Sequence, residues 1–223
     1  MAQEMYIRTE WWSNDLNDVT PEIDLVSKTI FNDDTLKIIG SAWYRPEKSG
    51  STKPVPITVD QLQRGEGWIR EQLIKSQYMH RLVLANGLEG EHKAGISGTV
   101  FQGAANSNQL VISLPEPQVL RAAGVEFGDV LALAESYARA AHGISVVSSG
   151  DLFDKASEFG LKSGSKAAYA AFWGAPGIDP NPLLKRLDER GITVPYSLIA
   201  ATSWPDQSTP DAKVIANIQE LLS

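Results

Sequence analysis

Apolar positions along the chain switch between two periods, and each switch marks a change of element. Tyr6 to Trp12 is aromatic and β-branched and predicts a first strand ending in the polar turn Ser13 to Val19. Thr20 and Pro21 then open a helix. Its Ile23, Val26 and Ile30 share one face, which leaves Glu22, Asp24 and Lys28 in water. Leu36 to Tyr44 predicts a second strand, and the stretch 45–56, with Pro46, Pro54, Pro56 and Gly50 among Lys and Ser, predicts an exposed loop. Asp60 to Gln77 aligns Leu62, Ile69 and Leu73 at helical spacing, with Gly65 and Gly67 weakening its first half.

The second half of the chain is patterned more strongly. Ala94 to Phe101 and Asn108 to Leu114 alternate around a turn rich in glycine and asparagine, which predicts a β-hairpin. Phe127 to His142 carries one unbroken apolar stripe (Val130, Leu133, Ala134, Tyr137, Ala138, Ala141) and predicts a long helix. Ile144 to Val147 follows as a short buried strand. Helices are predicted from Asp151 to Gly160, from Asn181 to Gly191 and from Thr209 to the C-terminus, with strands at Ala167 to Trp173 and Ile192 to Ala201. The pattern is that of an α+β fold, a mixed but mostly antiparallel sheet packed with helices. Only the loop 45–56 could serve as a linker. The segment before it is too short to fold alone without disulfides or metal, so residues 1–223 are expected to form one domain.

Charge changes this picture more than composition does. The formal net charge is −7, and residues 1–34 hold eight acids (Glu4, Glu10, Asp15, Asp18, Glu22, Asp24, Asp33, Asp34) against Arg8 and Lys28. The remainder is nearly neutral. A one-ended negative field repels nucleic acid and attracts a basic partner. There is no cysteine, so disulfides and thiolate chemistry are excluded, and a reducing, cytoplasmic location is expected. No signal peptide or apolar membrane-spanning run is legible.

Candidate chemistry is sparse. His80, His92 and His142 show no paired ligand spacing, and Glu89, Glu91 and His92 share the polar turn Asn86 to Lys93, where they could converge on an ion or a substrate. Gly95-Ile-Ser97-Gly98 lies in a hairpin strand and not in the strand-to-helix turn of a nucleophile elbow. Ser163-Gly-Ser-Lys166 has the spacing of a Ser and Lys pair but lacks a helix to join them. Asp206, Asp211 and Lys213 resemble a nuclease metal signature, yet Pro210 marks a helix start between the strand-borne acids such a site needs. No catalytic residue, metal or cofactor is therefore assigned. Trp43, Trp68 and Trp173 read as core, whereas the adjacent Trp11 and Trp12 must point to opposite faces of a strand. An exposed aromatic among acids has the composition of a protein-binding hot spot.

Several stretches taken together are similar to those of a known family. They are the aromatic strand Tyr6-Ile-Arg-Thr-Glu-Trp-Trp12, the helix running to Asn32-Asp-Asp34, and the pair in Ser41-Ala-Trp43-Tyr44-Arg45 that opens a Lys and Ser-rich loop. The hairpin Gly95 to Leu114, the strand Ala167 to Trp173 and the terminal helix complete the set. The chain resembles the immunity proteins of bacterial polymorphic toxin systems, in particular the immunity protein 52 family. That resemblance implies a cytoplasmic protein that binds and neutralises a cognate toxin, a nuclease delivered by a contact-dependent or type VI secretion system, with no cofactor and no contact with nucleic acid or membrane. Trp11, Trp12, Asp15, Asp18, Glu22, Asp24, Asp33 and Asp34 are the expected contact residues. A small hydrolase or transferase with a dispersed site around His80, Glu89, Glu91 and His92, and a phage or secretion-system structural subunit, are the alternatives. Oligomeric state is open.

Overall fold

The computed structural model describes residues 4–12, 18–40, 42–47, 52–74, 77–102, 107–150, 152, 167–174 and 197–215. Among the described residues ten strands form one sheet: β1 (Met5–Trp11), β2 (Trp43–Pro46), β3 (Pro54–Ile57), β4 (Ile69–Ile74), β5 (Gln77–Ala85), β6 (Gly95–Gln102), β7 (Asn108–Ser113), β8 (Ile144–Ser149), β9 (Ala170–Trp173) and β10 (Ser197–Ile199). Their order is β10-β9-β8-β1-β7-β6-β5-β2-β3, with β4 paired to β5 alone, and every described pairing is antiparallel. The helices are α1 (Thr20–Leu25), continued by a π turn (Val26–Ile30), α2 (Asp33–Ile39), α3 (Val59–Gln63), α4 (Pro117–Ala122) and α5 (Phe127–Ala141). The α+β class and the antiparallel character expected from the pattern are both present. Among the described residues no helix is long and apolar enough to cross a membrane.

Alternation sorts the sheet into two faces. Met5, Ile7, Thr9 and Trp11 of β1 are buried, and the register sets them beside Leu110 and Ile112 of β7 and Val147 of β8. Ile96, Val100, Leu82 and Leu84 extend this inner face across β6 and β5. Helix α5 packs its stripe of Val130, Leu133, Ala134, Tyr137, Ala138 and Ala141 against β1, β8 and β9. The Tyr137 hydroxyl meets the Thr35 hydroxyl at 2.7 Å, which ties α2 to α5, and burial pushes the phenol well above its usual pKa. At the far end of the chain Trp204 stacks on Phe127 with ring centroids 5.4 Å apart, and Arg121 grips Asp206 through two bonds of 2.9 Å. Asp206 is thus half of an ion pair. Asp211 accepts the Lys213 backbone N–H and so starts the helical turn 212–215.

Three predicted elements fold differently. Leu36 to Ile39 belongs to α2 and not to a strand. Asn32 caps that helix by accepting the Thr35 N–H at 3.0 Å, Asp33 and Asp34 complement its positive end, Lys37 its negative end, and Gly40 leaves it at φ 87°. Local capping outweighs the apolar run. The helix predicted over 60–77 stops at Gln63, where the turn through Gly65 at φ 78° redirects the chain into β4. Finally, the proline-rich stretch is only partly loop: Arg45 and Pro46 pair with Val55 and Pro54 in a β2–β3 hairpin. Proline is tolerated there because β3 lies at the rim of the sheet. The helices predicted at 151–160 and 181–191 lie outside the described residues apart from Leu152, as do Ser163 and Lys166.

Helix α5 ends where β1 and β9 crowd it. His142 adopts the left-handed conformation (φ 48°), and the Gly143 N–H returns to the Ala138 carbonyl at 3.0 Å, a Schellman closure with histidine where glycine is usual. A Cβ on Gly143 would stand 2.1 Å from the Glu10 carbonyl oxygen, so only glycine fits. These two positions should respond oppositely to substitution. His142→Gly relieves the left-handed strain and should raise unfolding free energy by about 1 kcal/mol, whereas Gly143→Ala should lower it by about 1–3 kcal/mol through overpacking. Urea midpoints measure both, and a Gly143→Ala protein as stable as the parent would contradict the packing described.

Candidate functional site

Trp11 and Trp12 divide as adjacent strand residues must, but not to the effect expected. Trp11 closes the inner row of β1 at 1 % exposure, and its indole N–H donates to the Glu22 carboxylate on α1, itself 8 % exposed. Burying an indole removes ~200 Å² from water, worth roughly 5 kcal/mol by area, so Trp11 is a core residue first. Glu22 answers the one polar atom that this burial would strand. Both residues are therefore corrected from surface contacts to interior ones. Helical period alone placed Glu22 in water, but Trp11 holds it inside. Trp12 is half-buried and packs against the core.

The exposed acids that remain belong to the layer of short helices. Asp18 accepts the Thr20 backbone N–H at 2.9 Å as α1 begins, and that bond holds its carboxyl below the usual range. Asp24 pairs with Lys28 one turn on, at 2.9 Å. Asp33 and Asp34 stand exposed in the first turn of α2. Asp15 lies outside the described residues. Asp18 and Asp24 are thus engaged locally, by the Thr20 N–H and by Lys28, while Asp33 and Asp34 carry charge into solvent at the start of α2.

Glu89, Glu91 and His92 are all exposed in a short turn around Gly90–His92, and Asn86 organises it. The Asn86 side chain donates to the His92 carbonyl at 2.8 Å and accepts from the Leu88 and Ala94 N–H groups at 3.2 and 3.1 Å. The Glu91 carbonyl accepts the Glu116 N–H at 2.9 Å, and its carboxylate accepts the Gln118 amide, so the turn is buttressed against the start of α4. His80 sits on β5 opposite Val100, five residues before that strand ends. About 17 Å of strand separates it from the turn, so the structure does not bring His80 to Glu89, Glu91 and His92. Among the described residues no group of three or more His, Asp or Glu side chains is placed to hold a metal ion.

The sheet's second face is a feature that the sequence reading did not single out. At β8 and β9 it is closed, since Ile144, Ser148, Ala171 and Trp173 are buried. Across β1, β7 and β6 it is half-exposed apart from the exposed Ser97, and along β5 Arg81, Val83 and Ala85 are exposed. The register aligns Glu10, Gln109, Thr99 and Arg81 in one row and Arg8, Val111, Ser97 and Val83 in the next. A third row runs Tyr6, Ser113, Gly95 and Ala85 and reaches Tyr44 on β2. Arg8 and Glu10 form an ion pair within this face. Ser97 therefore stands exposed on a hairpin strand, not in a nucleophile turn. The alternation that placed these residues on one face was legible, but which face the helices leave uncovered was not. No protein-family model and no curated protein matches the chain.

The assignment of Glu22 to the interior has a direct test. Glu22→Ala strands the Trp11 N–H and should lower unfolding free energy by about 1–3 kcal/mol. Asp34→Ala, an exposed acid in the same layer, should stay within about 0.5 kcal/mol of the parent. If chemical denaturation finds the two variants equally stable, Glu22 is not the partner that Trp11 requires.

Proposed function

We propose that the chain is an immunity protein that binds a cognate bacterial toxin, a nuclease effector of a contact-dependent or type VI secretion system, and neutralises it in the cytoplasm without a cofactor. The observation that carries this reading is the display of exposed Asp18, Asp33 and Asp34 on one short stretch of helices tied to the sheet by Trp11 and Glu22. A nuclease must present cationic groups to its substrate. A rigid acidic surface complements those groups and steers encounter before short-range contacts form. The resemblance to immunity proteins in the order of aromatic strand, acidic turn and Trp-Tyr pair points the same way.

The test uses the product of the reading frame neighbouring this one, where this reading expects the cognate toxin. Replacing Asp18, Asp33 and Asp34 by Asn should slow association about tenfold at low salt, within the range that electrostatic steering commands. The difference should shrink as ionic strength passes roughly 0.15 M, where the screening length is about 8 Å. Stopped-flow or biosensor rates at several salt concentrations read this out. Equal rates for both forms at every salt concentration would remove the acidic helices from the docking surface.

A further inference from the structure

We draw no further inference here: the strongest candidate, the side-chain cluster in which the buried Ser27 hydroxyl of the π turn and the buried Trp68 indole N–H flank Gly65, carries nothing, because a Cβ on Gly65 would already stand 2.9 Å from Ile23 and 3.2 Å from the Ser27 hydroxyl, so the structure shows no room there for a ligand.

Discussion

The double pairing of β1 is the constraint on which the rest of this structure depends. Residues Tyr6 to Trp11 match β7, and Met5 to Glu10 match β8, so nearly every backbone polar group of the strand is bonded inside the sheet. An N-terminal segment thereby becomes the centre of a ten-strand sheet. Its inner side chains seat α5, its Thr9 hydroxyl meets Ser145 at 2.8 Å, and its last inner residue, Trp11, draws Glu22 and with it α1 onto the core. Even the end of α5 is shaped by this strand, because the Glu10 carbonyl leaves Gly143 no room for a side chain.

From that constraint follows the division of labour between the faces. Helices cover the inner side, where β1 offers apolar residues, the Thr9 hydroxyl and the Trp11 indole N–H, both of which neighbouring elements satisfy. Opposite lie Tyr6, Arg8 and Glu10, which are half-exposed, and the strands beyond them carry short or polar residues. The acids proposed for toxin docking are on the helical side.

How much of this was legible depended on whether a signal was local. The stripe from Val130 to Ala141 and the alternation from Ile96 to Ile112 are each long enough to outvote their surroundings, and both elements stand where they were predicted. Leu36 to Ile39 misled because four residues cannot separate strand from helix, and the deciding residues were the caps Asn32 and Gly40 outside the run. The aligned Leu62, Ile69 and Leu73 suggested one helix across what is a short helix, a glycine turn and a strand. Strand β5 gave no hairpin signal, since Lys75-Ser76 has neither glycine nor asparagine. At the candidate site the sequence required Trp11 and Trp12 to diverge, but only the register with Asn108 shows which one goes inside. Glu22 could not be placed until its partner was.

The most direct test of the central proposal, that a toxin docks on the acidic helices held by β1, is amide hydrogen exchange of the chain alone and with the proposed cognate toxin. In the free chain the amides of Ile7 to Glu10 should exchange among the slowest, through global unfolding only. On complex formation new protection should appear across residues 18–39, with the β1 amides unchanged. Protection confined to the sheet face opposite the helices, or its absence from residues 18–39 in a complex that demonstrably forms, would contradict the account.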